Sequence, residues 1–126
     1  MEKPALLNHQ QGFSLIEVMV AAAIVSVSLL GFAEAQLMAL RASEEAYLIN
    51  LADLKNQELA EDFMICGPQP FCFQQALSLW KKETQKSFPK GMGQISKLNL
   101  STYQSKIQWF FSFSKFPSSL NLLFSA

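Results

Sequence analysis

The sequence predicts an α+β fold with a long N-terminal helix, a second helix and a short antiparallel sheet. Three patterns in its 126 residues predict this class. An uncharged run, Val18 to Ala33, opens a helical pattern that contains no proline. A second amphipathic pattern follows at 72–87, and beyond it the apolar period changes from that of a helix to that of a strand. The length allows one small domain in addition to an apolar anchor.

The first helix is predicted over residues 14–64, because no proline occurs between Ala5 and Gly67. At 1.5 Å per residue, the segment from Phe13 to Ala33 is about 31 Å long, which matches the hydrocarbon thickness of a bilayer. The first half of this helix is therefore predicted to cross a membrane. The second half carries an apolar stripe that predicts packing on a soluble domain. The stripe consists of Leu48, Leu51, Ala52, Leu59 and Phe63.

The second predicted helix has one apolar face and is followed by Pro89 and Gly91, which end it. An aromatic residue on this face, Trp80, could serve binding, but its helical spacing favours a place in the core. The face consists of Phe73, Ala76, Leu77 and Trp80.

Strict alternation of apolar and polar residues from Tyr103 to Ser114 predicts a half-buried strand. A weaker strand at 94–100 would pair with it as a hairpin, whereas no element is predicted for 115–126. The part of the chain after Cys66 has about sixty residues, which is marginal for an independent core. We therefore expect it to need the first helix for its stability.

Residues 1–12 form a short polar leader that ends at Gly12, directly before Phe13 and the apolar run. A secretory signal peptide has a basic start and a cleavage site after its apolar core. Cleavage after Gly12 would instead leave the apolar helix in the mature protein. The small-x-small sequence at 33–35 keeps ordinary secretion as a weaker alternative.

Glu17 is a lone carboxylate near the start of the apolar segment. A carboxylate inside a membrane helix costs on the order of 2–3 kcal/mol on insertion scales. It could lie near the lipid headgroups and reach water. Alternatively, cleavage after Gly12 would give Phe13 a free amine about one helical turn away, on this subunit or a neighbour, that neutralises the carboxylate and directs assembly. We favour the second interpretation.

The order and spacing of residues from Gly12 to Ala21 resemble the N-terminus of type IV prepilins and the related pseudopilins. The rest of the chain resembles the minor pilins of the PilV type. This resemblance rests on the long helix, the cysteine pair, Trp80, the turn at 88–95 and the strand carrying Trp109. It implies a pilin-like fold and a structural subunit that primes or builds a type IV pilus. A membrane peptidase would cleave after Gly12 and the amine of Phe13 would be N-methylated.

The resemblance also implies a domain organisation, a location and a set of partners. Residues 1–12 would be the leader, 13–36 the transmembrane and assembly half of the helix, and 37–126 a small periplasmic domain. The protein would cross the inner membrane once and then enter the pilus fibre or tip. Its partners would be other minor and major pilins, the prepilin peptidase/N-methyltransferase and the pilus assembly platform. The family's sheet usually continues past the point where this chain's does, so we expect final strands to be missing or supplied by a partner.

Cys66 and Cys72 flank a short segment with one glycine and two prolines, which favours a closed loop. The chain has only one histidine, His9, so these residues cannot form a closed zinc site. An exported chain would place the pair in an oxidising compartment, which predicts a disulfide. A reduced, buried pair is the alternative.

The formal net charge of zero conceals a strong asymmetry. From Phe13 to Ile65, eight acidic residues face two basic ones, whereas from Cys66 onward seven lysines face Glu83 alone. Such polarity suits a basic part that packs on acidic helices of its own or a neighbouring chain. Lysines without arginine are a weak basis for specific nucleic-acid readout, so nucleic acid is an unlikely partner.

No enzyme activity, catalytic residue, metal or other cofactor is expected. The sequence has no glycine-rich phosphate loop and no paired carboxylates that suggest a pocket. Three alternatives to the minor pilin remain open at this point. They are a pseudopilin of a type II secretion system, a DNA-binding competence pilin and a single-pass anchor protein without an assembly role.

Overall fold

The computed structural model describes Gly12 and residues 14–125. The rest of the predicted leader, Phe13 and Ala126 lie outside the described residues. Two helices precede three strands, so the predicted α+β class, with a pilin-like order of elements, is confirmed. The elements are α1 (Leu15–Cys66), α2 (Pro70–Ser87), β1 (Met92–Lys97), β2 (Thr102–Trp109) and β3 (Ser118–Ser125).

The chain divides into two compact units between Arg41 and Ala42, inside α1. In the second unit, α1 buries the predicted apolar stripe except for the partly buried Leu51, and Ala52 and Leu59 are fully inaccessible. An amide side chain, Asn56, lies on the same buried face, although its residue type did not suggest burial. The stripe thus forms one side of the core, as its helical period predicts.

Helix α2 begins two residues earlier than predicted because Pro70 fits the first turn, where its missing N–H has no helical partner to lose. It ends at Ser87, because the following Phe88 takes an extended conformation (φ −116°, ψ 142°). That conformation is the one that Pro89 imposes on the residue before it. The prediction that this proline ends the helix is confirmed.

Trp80 joins the helices to the sheet and confirms the predicted core position. It is 4% exposed, and its Nε1–H donates a 2.8 Å hydrogen bond to the carbonyl of Lys55 in α1. On its other side lies Gly93 of β1, where an added Cβ would approach ring atom Cζ3 to 2.5 Å. Only glycine allows this close approach of strand and ring without a shift.

The three strands form one antiparallel sheet in the order β1-β2-β3. The predicted hairpin of β1 and β2 is confirmed, with Ile95 opposite Ser105. Alternate residues of β2 face the helices, and Ser105, Ile107 and Trp109 are at most 1% exposed. On the opposite face, Gln104 of β2 lies between one residue of each neighbouring strand, Ser96 and Leu123.

The predicted extension of β2 to Ser114 is wrong, because the strand ends at Trp109. The next amide, that of Phe110, donates a 3.0 Å hydrogen bond to the carbonyl of Pro89 and so leaves the sheet. Alternation of apolar residues nevertheless continues, since Phe111 remains buried and stacks on Phe113 at 5.0 Å between ring centroids. After Trp109 the alternating burial of side chains therefore continues, although the strand pairing has ended.

Residues 115–126, for which no element was predicted, contain the third strand. Strand β3 pairs with β2 along its whole length, from Ser118 opposite Trp109 to Ser125 opposite Thr102. Phe124 is buried, and its ring lies 5.6 Å from that of Phe63 in α1. The sequence pattern assigned no element to these residues, and β3 closes the core on that side.

Candidate functional site

Helix α1 begins directly after Ser14, whose carbonyl accepts hydrogen bonds from the amides of Glu17 (2.9 Å) and Val18 (3.3 Å). Gly12 precedes it, exposed and outside any helix or strand. Phe13, on which the predicted cleavage and methylation both depend, lies outside the described residues. The predicted junction therefore stands immediately before the first turn of a helix.

Glu17 is exposed and occupies the first turn of α1. Its carboxylate is near the positive end of the helix dipole, which favours a negative charge at this place. Ser14 and Glu17 also have the spacing of a capping box, in which the two residues satisfy free amides of the first turn. This second reason for a glutamate at position 17 competes with pairing to a free amine.

Beyond Glu17, α1 presents an apolar surface on all sides. Its large apolar side chains up to Leu40 are exposed, for example Val27 at 71% and Leu30 at 72%. By length and composition this helix could cross a membrane, and none of its apolar window is buried within the fold. A polypeptide that leaves such a surface uncovered needs a lipid or protein environment for it.

The two serines in the apolar run satisfy their hydroxyl groups within the helix. Ser26 donates to the carbonyl of Ala22 and Ser28 to that of Ile24, each at 2.8 Å. In a bilayer an unpaired hydroxyl would cost free energy, because no water is present to bond it. These bonds therefore make the run compatible with lipid despite its polar residues.

The predicted disulfide is present and joins the end of α1 to the first turn of α2. Cys66 and Cys72 are bonded, with 5.5 Å between their Cα atoms. Gly67 permits the tight connection because its φ is +55°, in the left-handed region that favours glycine. The bond lies in the second unit, whereas Gly12 and Glu17 lie in the first.

Replacing both cysteines with serine is expected to lower the free energy of unfolding by roughly 2–3 kcal/mol, because the bond closes only a short loop in the unfolded chain. The measurement is urea denaturation of wild type and the double variant, followed by circular dichroism. Alkylation without prior reduction provides the control, since thiols that react in the native protein would show that the bridge is absent. An unchanged denaturation midpoint would contradict the stabilising role.

Lys55 of α1 makes a charged contact with α2 that the sequence did not indicate. Its Nζ lies 2.5 Å from Glu83 of α2 and 2.7 Å from Glu58 of α1. In the ion pair between the helices, α1 supplies the base, Lys55, and α2 supplies the acid, Glu83. The sequence had predicted the reverse, with basic residues after Cys66 packing on acidic helices. A separation of 28 residues left no local signal for this contact.

These contacts shift the pKa values of Lys55 and Glu83. The hydrogen bond to Glu58 and then that to Glu83 raise the pKa of Lys55 above its ordinary value. The hydrogen bond from Lys55 lowers the pKa of Glu83. Glu83 therefore stabilises the fold above the ordinary glutamate pKa, and this contribution is lost as the pH falls through its lowered value.

The variant Glu83→Gln is expected to be slightly less stable than wild type near neutral pH, by an amount that shrinks on acidification. The physical reason is that protonation removes the charge of Glu83 in the wild type and makes the two proteins alike. Urea midpoints at several pH values between neutrality and the acid range would measure it. A difference that stays constant across this range would show that the charge of Glu83 does not stabilise the fold.

Within residues 14–125 and Gly12, no group of three histidine, cysteine or carboxylate side chains could hold a metal ion.

The N-terminal segment is interpreted through its similarity to a known family. Residues 7–33 match a family model described as the prokaryotic N-terminal methylation motif. The match indicates a prepilin-type protein.

The matched region contains Gly12, Phe13, Glu17 and the exposed apolar turns of α1 that follow. A prepilin-type protein of this kind is a type IV pilin-like protein or a pseudopilin, which is a structural subunit. The motif implies processing by a prepilin peptidase and assembly with other pilins. No curated protein and no solved structure matches the chain significantly.

Proposed function

We propose that the protein is a minor pilin-like subunit of a type IV pilus that takes part in pilus priming or assembly. The observation that carries this proposal is the junction of Gly12 and Phe13 directly before a helix whose apolar surface is exposed. Cleavage there would remove only the leader and keep the helix. The mature chain would then have a lipid-soluble helix with a new amine at its end.

Glu17 supplies the assembly step in this proposal. Once Phe13 carries a free, methylated amine, the carboxylate of Glu17 on the same or a neighbouring subunit neutralises it. Burying the two charges together avoids most of the cost of placing either one alone in lipid. Because the charges meet only in one register, the pairing selects correctly placed subunits over other arrangements of the same apolar helices.

The remaining parts of the chain follow from this role. Residues 13–36 would be the transmembrane and assembly segment, and 37–126 would form the periplasmic domain. The subunit would reside in the inner membrane and pass, through the pilus assembly platform, into the fibre or its tip. There it would contact other minor pilins and the major pilin.

A pseudopilin of a type II secretion system is the second candidate, because the same N-terminal motif supports it. Genes next to this one would separate the two roles. Other minor pilins and a tip adhesin would favour the pilus, whereas a secretion ATPase with an outer-membrane secretin would favour secretion.

Replacing Gly12 with leucine is expected to leave an uncleaved precursor in the inner membrane, since a bulky side chain at the scissile position blocks the peptidase. The measurement is the N-terminal sequence and the mass of the membrane-bound protein. The wild type should begin at Phe13 and carry one additional methyl group.

The matched control is Ala35→Leu, which alters the small-x-small sequence that ordinary secretion would use. It should not affect processing. Cleavage that responds to Ala35 and ignores Gly12 would contradict the proposal and favour a secreted domain. An intact Met1 in assembled pili would contradict it as well.

A further inference from the structure

The geometry points to the outer edge of β3 as a docking site for an extended segment of a different chain, with apolar residues at alternate positions and a neutral or acidic character. In the sheet that the described residues form, β3 is an edge strand, paired only with β2. Along an antiparallel edge, half of the residues direct their N–H and C=O groups outward. An incoming strand could bond to these groups.

Strand β3 lacks the features that usually protect an edge. Proteins commonly place lysine, proline, a bulge or a short strand there to prevent pairing with other chains. The eight residues of β3 contain no charged residue, glycine or proline, although seven lysines occur after Cys66. The strand is also paired with β2 along its whole length, so little ordering of its backbone remains to be done on binding.

The opposite edge of the sheet, β1, is protected. It has six residues and ends at Lys97, whose Nζ lies 5.4 Å from the centre of the Tyr103 ring. At its other end Gly93 packs under Trp80 of α2. The two edges of one small sheet therefore differ, and only β3 offers an open backbone without a charged residue.

Side chains next to this edge indicate which strand fits. Leu120 and Leu122 face the side of the sheet that carries the core, yet both remain partly exposed. An incoming strand with apolar residues on that side would cover them. On the other side Leu123 is 62% exposed, so a strand placed there would remove further apolar area from water.

Charge indicates a different chain and not a second copy. Lys106 lies opposite Asn121 of β3, and Lys115 comes shortly before the strand. Two copies paired through β3 would bring these lysines of both chains toward one interface without an acidic residue in either strand. A neutral or acidic segment avoids this repulsion.

The test uses the full-length, oxidised protein in lipid nanodiscs and a fluorescent eight-residue peptide in which leucine alternates with serine or glutamate. Anisotropy should show saturable binding, and hydrogen exchange should show new protection in β3 but not in β1. A peptide of the same composition with proline at two central positions should bind at least tenfold more weakly, because it cannot form the backbone ladder. Empty nanodiscs control for lipid binding.

Two matched variants place the site. Leu123 and Ser96 both lie opposite Gln104 on the exposed face, one on each edge. Leu123→Glu should weaken peptide binding at least tenfold, through lost apolar contact and repulsion of the acidic peptide, whereas Ser96→Glu should leave it within twofold. Ser119→Glu, exposed on the same face of β3, should act like Leu123→Glu and repeats the test if that variant is unstable.

Equal binding by the wild type and Leu123→Glu would overturn the proposal, as would equal binding of the proline peptide. Self-association of the wild type that Leu123→Glu abolishes would also overturn it, because the edge would then take a second copy. Binding is read without cleavage or pilus assembly. A failure here therefore leaves the proposed pilin role untouched, and a failure of processing leaves this edge untouched.

Discussion

Replacing Glu17 with leucine is expected to remove the protein from sheared pili, while its level in the membrane and its cleavage after Gly12 stay unchanged. The apolar replacement makes membrane insertion no less favourable, since it removes a carboxylate that costs on the order of 2–3 kcal/mol. The scissile bond is the same in both proteins. The variant loses the neutralisation of the Phe13 amine between subunits, so incorporation should fall to background.

Two controls separate this mechanism from other roles of the residue. Glu17→Gln keeps the spacing and hydrogen-bonding ability of a capping box with Ser14 but removes the charge. It should fail in incorporation like Glu17→Leu, if charge pairing is the cause. Glu34 is another exposed carboxylate of α1, at the end of the uncharged run, and Glu34→Leu should enter pili normally.

The measurements are immunoblots of membranes, mass spectrometry of the N-terminus and immunoblots of sheared pili. Normal incorporation of Glu17→Leu would defeat the pairing mechanism. Incorporation of Glu17→Gln but not of Glu17→Leu would assign the residue to helix capping. Loss of Glu17→Leu from the membrane fraction would indicate a role in insertion or folding.

Replacing Trp80 with alanine is expected to destabilise the unit from Ala42 onward by about 3–5 kcal/mol, the usual cost of removing a large buried aromatic residue. The ring is buried against Gly93, and its Nε1–H bonds to the carbonyl of Lys55. Small domains have about 5–15 kcal/mol of stability in total. The alanine variant should therefore lose a large share of this stability and unfold at a clearly lower urea concentration than wild type.

Trp80→Phe is the matched control, because it keeps an aromatic ring and removes mainly the hydrogen bond. It should cost about 1–2 kcal/mol. Urea denaturation of the full-length proteins in detergent, followed by far-ultraviolet circular dichroism, gives both values. If the alanine variant were as stable as the phenylalanine variant, the ring would contribute little to the packing of α2 on β1.

The sequence predicted the parts of the fold that depend on local periodicity or on proline. The stripe on α1 recurs at helical spacing, and Pro89 fixes the end of α2 through the residue before it. The end of β2 could not be predicted in this way. Alternation persists through Phe111, and only a distant hydrogen bond from Phe110 to the carbonyl of Pro89 takes the chain out of the sheet.

Strand β3 was missed for a related reason. The run of Leu122, Leu123 and Phe124 breaks the alternation that identifies a half-buried strand. Its pairing partners lie between 9 residues earlier (Trp109 opposite Ser118) and 23 residues earlier (Thr102 opposite Ser125), across a loop. Most residues of the candidate site, by contrast, could be predicted from the sequence. The junction of Gly12 and Phe13, Glu17 and the cysteine pair were visible as short spacings, whereas the contact of Lys55 with Glu83 arises only when α2 folds onto α1.

The burial of both indole rings has a practical consequence for optical work on the intact protein. Trp80 and Trp109 are the only tryptophans of the chain, and both lie in the unit that follows Arg41. Their fluorescence should be blue-shifted in the native state and move to longer wavelength when water reaches the rings. Because the apolar half of α1 contains no tryptophan, emission from the anchored protein would follow the folding of this unit alone, even with its helix still in a micelle.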